Sequence, residues 1–158
     1  MVLNPAEHLA QARDSERFSS LTSLKLAITF YLATVDSLPT NPLGDDANCY
    51  VFTGAASGAK CGSRFIGSRT TTTINSRANN GTGWVPVDFI SIPSGAPLSS
   101  VPVDPVQNDL YYYAYAGTNI NKTFEINAKL ESQKFTTQAA TDGGNDPTIY
   151  ETGTDLNL

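Results

Sequence analysis

From Ala6 to Val35 the chain runs for 30 residues without a glycine or a proline. In the second half of this run the apolar positions fall at Phe18, Leu21, Leu24, Ile28, Tyr31, Leu32 and Val35. Steps of three and four place them on one face of an α-helix. Asn4 suits the cap, Pro5 the first helical position, and Glu7 is favourable in the first turn. Upstream of Phe18 the stripe thins to Ala6, Leu9, Ala10 and Ala12 among Glu7, Arg13, Asp14, Glu16 and Arg17. The second half is therefore expected to pack on a core, and the first to project into solvent or toward neighbouring molecules. At 1.5 Å per residue a helix from Pro5 to Val35 is about 45 Å long. It is expected to end near Asp36-Ser37, because Pro39 and Pro42 forbid continuation.

Beyond the helix the period changes from 3.6 to 2. Residues 38–48 form a connector with two prolines, and Cys49 to Phe52 is a short strand candidate. Arg64 to Ile74, with four consecutive threonines, suggests one or two irregular strands. Asn79 to Gly83 is a turn, and Trp84 to Ile90, interrupted by Pro86, reads as an edge strand or extended segment. The plainest sheet signal comes later. Tyr111, Tyr113 and Tyr115 share one face of a strand, with Tyr112, Ala114 and Ala116 on the other. After the turn at 117–122, Phe124, Ile126, Ala128 and Leu130 alternate with Glu125, Asn127, Lys129 and Glu131. This pattern predicts an antiparallel hairpin with one buried and one solvated face. The buried face is the natural partner for the helical stripe, which gives an α+β fold: a long N-terminal amphipathic helix packed on an antiparallel β-sheet. The helix (1–37) and the β-rich head (38–158) are expected to form one domain.

Composition adds context. The 158 residues are 40% hydrophobic and only 16% charged, against about a quarter charged in average globular chains. The remainder is loop-forming Thr, Ser, Asn, Gly and Pro, the balance of an exported or surface protein. A net charge of −5 argues against a nucleic-acid-binding face, which needs clustered Lys and Arg. The nearest basic cluster is Lys60, Arg64 and Arg69. No window approaches eighteen apolar residues, the length of a membrane-spanning helix. Cys49 and Cys61 enclose a short loop, which in an oxidising compartment suits a disulfide; two unconnected thiols are the alternative.

No catalytic constellation is visible. His8 is the only histidine and sits in the polar part of the helix, so a triad of the common type has no base. No phosphate-binding glycine loop or zinc-protease motif is present, and the chain is read as non-enzymatic. One loop invites a metal. Asp142, Asn145 and Asp146 are hard oxygen donors in a glycine-rich turn, and Glu151 or Asp155 would complete a calcium shell. The spacing does not fit an EF-hand, and the same residues also suit a turn chosen for backbone geometry.

The segment NPAEHLAQARDSERFSSLTSLKLAITFYL resembles the part of type IV pilins and type II secretion pseudopilins that follows the hydrophobic half of their N-terminal helix. Ala12, Arg13, Asp14, Arg17, Leu21, Leu24, Ala27, Tyr31 and Leu32 carry that match. Pro102, Asp104, Pro105, Tyr111 and Tyr113 resemble the pseudopilin turn that precedes a Tyr-rich strand. The ending FEINAKLES…DGGNDPTIYETGTDLNL is similar to that group's last strand and C-terminal loop. The leader, glycine cleavage site and apolar helix half of family members are not in this sequence, so the chain is expected to be the soluble part of a longer exported protein.

The resemblance implies a structural subunit of a pilus or pseudopilus filament in the periplasm or at the cell surface. Its partners would be identical or related subunits, and inner-membrane assembly machinery acting through the missing segment. Glu7, Arg13, Asp14, Glu16 and Arg17 would meet neighbouring subunits. Gly54 to Gly62 and Asn79 to Gly83 would form the filament surface. The family holds its C-terminal loop with calcium in some members and with a disulfide in others. The alternative is a minor pilin or adhesin-like binding module, for which Arg64, Arg69 and Trp84 are the candidate patch.

Overall fold

The computed structural model describes residues 4–52, 61 and 64–158, so the loop expected at Gly54 to Gly62, apart from Cys61, and Lys60 lie outside the described residues. The helix α1 spans Pro5–Thr34, with Asn4 as its cap: the Asn4 side chain accepts from the Glu7 amide, and Pro5 opens the first turn. Its buried positions are Ala10, Asp14, Arg17, Leu21, Leu24, Ala27, Ile28 and Tyr31. Apart from the neighbour Ala27, these advance in steps of four and three from the second turn to the last. The helix therefore lies against the head along most of its length, which corrects the expectation of a projecting first half. An apolarity count stops at Phe18 because the next two buried positions toward the N-terminus are charged.

The sheet has five strands in the order β2-β1-β3-β4-β5. They are β1 (Asn48–Phe52), β2 (Thr70–Ile74), β3 (Tyr113–Thr118), β4 (Thr123–Ala128) and β5 (Tyr150–Gly153), with a short helix α2 (Thr136–Ala139) between the last two. The hairpin β3–β4 has the alternation read from the sequence, with Tyr115 opposite Ile126 and Tyr113 opposite Ala128. β5 extends it antiparallel. The sheet is mixed, however, because β1 and β2 run parallel, Asn48 beside Thr70 through Phe52 beside Ile74. Seventeen residues separate the two strands in sequence. That is length enough to return the chain to the same edge and start again in the same direction.

One sheet face carries Tyr50, Tyr113, Tyr115, Phe124, Ile126 and Ala128 against the α1 stripe. The irregular stretch from Trp84 to Val101 completes that core. It is not an edge strand: it contains a 3-10 turn at Phe89–Ser91, and Phe89 packs edge-on against Tyr31. The opposite face is not solvated, as the alternation suggested. Glu125 and Asn127 are fully buried there. Cys49, Val51, Tyr112, Ala114 and Ala116 form a second cluster with Cys61, Phe65 and the terminal Leu158. The covering segment is anchored by the Ile66 amide donating to the Leu158 carbonyl at 2.5 Å. Alternation reports side-chain polarity, and two polar residues satisfied by a covering segment read the same as two facing water.

Candidate functional site

The first half of α1 meets the loop at Asp104 and the end of β4 through a buried charge network. Arg17 is fully buried and holds three carboxylates: Asp104 at 2.7 Å, Asp14 at 2.8 Å and Glu131 at 2.6 Å. The contact with Asp104 is two-pronged, Nε to Oδ2 and Nη2 to Oδ1. Asp14 also accepts from the amides of Glu131 and Ser132 and from the Ser132 hydroxyl. Arg13 adds a fork onto Glu131, and the Tyr111 ring lies 5.0 Å from the Arg17 guanidinium carbon. Burial works against the Arg17 charge, but hydrogen bonds and charge from Asp104, then Asp14 and Glu131, outweigh it and raise its pKa. Burial also opposes the Glu131 charge, and Arg13 and Arg17 overcome it and lower that pKa.

Asp14 and Arg17, expected to face neighbouring subunits, therefore face the chain's own head. Arg13 is tied to Glu131, and Glu7 accepts from the amides of Gln133 and Lys134. Of that group Glu16 stays exposed. The cue lay in the sequence: positions 10, 14, 17 and 21 continue the same helical stripe, and Asp104 sits in the turn before the tyrosine strand.

In the C-terminal loop the oxygen donors close onto backbone amides. Asp142 accepts from Gly144 and Glu151, Asp146 from Thr148, and Asp155 from Asn157. Asn145 donates to the Leu156 carbonyl. Among the described residues no three His, Cys, Asp or Glu side chains are placed to hold a metal ion. Asp142, Asn145, Asp146 and Asp155 are each engaged by the loop's own backbone, and Glu151 by the Asp146 amide.

Glu151 instead is the hub. Its Oε2 accepts from the Asp146 amide, and Gly144 lies so close that a Cβ there would stand 1.9 Å from Oε2. Its Oε1 is buried without a hydrogen-bond partner among the described residues, and the Glu125 carboxyl is its neighbour. Glu125 also accepts from Asn127 and from the Leu158 amide. Burial, with the charge of Glu151, pushes Glu125 up to about 8. Burial likewise raises Glu151.

The Cys49–Cys61 disulfide is present, with Cα atoms 5.9 Å apart. Trp84 is fully buried, its indole N–H donating to the Pro102 carbonyl at 3.0 Å. Arg69 donates to the carbonyls of Asp46 and Asn48. Arg64 is also buried, and the three do not form one exposed patch. His8 is exposed on α1, and no helix of the described residues is long and apolar enough to cross a membrane.

Comparison with family models, with curated proteins and with solved structures finds no match to this chain.

Proposed function

We propose that the chain is a structural subunit of a filament of the type IV pilin or type II secretion pseudopilin kind, exported and without catalytic activity. The reading rests on the resemblance of its helix and C-terminal half, and on one structural observation. The helix α1 is locked to the head along one side while its other side keeps large apolar groups in solvent. Leu26 is 63% exposed, Phe30 41% and Leu9 57%. Leu26 and Phe30 are one turn apart and so lie on the same stripe. A helix with its inner face fixed and its outer face apolar suits a repeating, non-closing contact with further copies. The subunit contact then falls on Leu9, Glu16, Leu26 and Phe30, not on Asp14 and Arg17. Assembly machinery would act through a segment upstream of this one.

The test is carried out in the host cell, by electron microscopy of filaments sheared from the surface or from the periplasm. The protein is expected in the filament fraction. Leu26→Asp is expected to remove it from that fraction while the melting temperature of the purified domain stays unchanged, since the residue is exposed. Wild-type protein found only as free monomer, or Leu26→Asp filaments as abundant as wild type, would refute the reading.

A further inference from the structure

Among the described residues two arginines are buried, and they are treated differently. Arg17 has three carboxylates on it. Arg64, 4% exposed, has none within ion-pair distance among the described residues. Its Nη1 donates to the Tyr112 carbonyl at 2.7 Å and to Asn127 Oδ1 at 3.3 Å, and its Nη2 to the Leu110 carbonyl at 3.3 Å. The guanidinium carbon stands 3.5 Å from the centre of the Tyr112 ring. These contacts fix the position of the cation without neutralising it. Burial accordingly depresses Arg64 to about 10, with Tyr112, Asp104 and Asp146 offsetting only part of the effect.

This guanidinium lines a cavity of about 270 Å³, beside the half-buried Lys129, with Leu110 and Ile149 as apolar wall. An immobilised, largely desolvated guanidinium that shares its cavity with a lysine suits a planar anion. We propose that the cavity at Arg64 binds a small carboxylate, its oxygens facing Arg64 and Lys129. Asp109 and Asp146 stand on the same cavity. Both have partners inside the fold, and their charge disfavours a bulky polyanion. Asp146 Oδ1 is already engaged by the Thr148 amide and hydroxyl at 2.8 and 2.7 Å. The recognised element is therefore the carboxylate.

The probes are sodium acetate and glycine, titrated into nitrogen-15-labelled protein at constant ionic strength with sodium chloride as the balancing salt. The Arg64 Nε–Hε signal and the amides of Lys129, Thr148 and Ile149 are followed. Arg64 holds three hydrogen bonds inside the fold, so the variant is Lys129→Gln on the rim. Saturable shifts at these positions, with affinity about fivefold weaker in Lys129→Gln, are expected. Tighter binding of glycine than acetate would add an ammonium contact to the carboxylate site; equal binding would leave the carboxylate as the sole determinant. Shifts that chloride reproduces, shifts that do not saturate, or an affinity untouched by Lys129→Gln would each overturn the assignment. None of these results bears on filament assembly, which the Leu26→Asp experiment reads separately.

Discussion

The buried network at Arg17 makes an asymmetric prediction. It contains two cations, Arg13 and Arg17, and three carboxylates, Asp14, Asp104 and Glu131, for a net charge of −1. Arg17→Met keeps the volume of the stem but leaves the three carboxylates with Arg13 alone, a net −2, two of them fully or almost fully out of solvent. Removing one partner from a buried ion cluster costs about 3–5 kcal/mol. Asp104→Asn takes the same cluster to zero. The carboxamide oxygen that this substitution introduces would keep the turn that Asp104 Oδ1 makes with the amides of Val106 and Gln107, and Arg17 would keep Asp14 and Glu131. The amide nitrogen would stand where Oδ2 accepts from Arg17 Nε, so the loss is that of one hydrogen bond to a charged group, about 1.5–3 kcal/mol.

Thermal unfolding at pH 7 reads both variants. With about 2–4 °C per kcal/mol for a chain of this size, the melting temperature should fall by about 10 °C in Arg17→Met and by about 5 °C in Asp104→Asn. Raising salt to about 1 M should leave the difference in place, because screening acts on exposed charges. The reasoning fails if Asp104→Asn is as costly as Arg17→Met, or if salt erases the gap.

The Glu125–Glu151 pair predicts a pH dependence. Glu125 is held at about 8 from an ordinary value of 4.5, so the folded chain binds more protons than the unfolded one between those limits. The contribution of Glu125 to stability is present in full below about 4.5 and declines as pH rises toward 8, and Glu125→Gln should flatten that slope in pH-dependent unfolding. Breaking the disulfide with Cys49→Ser should cost about 3 kcal/mol by the chain-entropy model for a loop of 12 residues; an unchanged urea midpoint would contradict it. Gly144→Ala forces a methyl group onto Glu151 Oε2. It should expose the C-terminal loop to limited proteolysis at temperatures where the wild-type domain resists. Added calcium should leave the melting temperature unchanged, and a rise that grows with calcium concentration would show that the loop reorganises around the ion.

The long helix, its Asn4–Pro5 start, its end before Pro39 and the β3–β4 hairpin were legible in the residues themselves. Each is set by short-range rules: a 3.6 or 2.0 period, a cap, a proline. The disulfide was legible as one of two readings, and the structure holds it. The inward pointing of Asp14 and Arg17 was half legible. Their spacing put them on the buried stripe, but polarity argued for water, and it is Asp104 and Glu131, distant in sequence, that with Asp14 make burying a guanidinium tolerable.

The parallel pairing of β1 with β2, the closure of the second sheet face by Phe65 and Leu158, and the buried neighbourhood of Glu125 and Glu151 belong to the tertiary structure alone. Each depends on contacts between segments distant in sequence, and the same local pattern suits more than one arrangement of them. Alternating Glu and Asn on β4 describes a wet face until a covering segment supplies partners. An acidic glycine-rich loop does not say which of its oxygens its own backbone amides engage, as Asp142 is by Gly144 and Glu151. Periodicity determined which elements this chain forms; which polar groups lie inside was decided by the partners that folding brought to them.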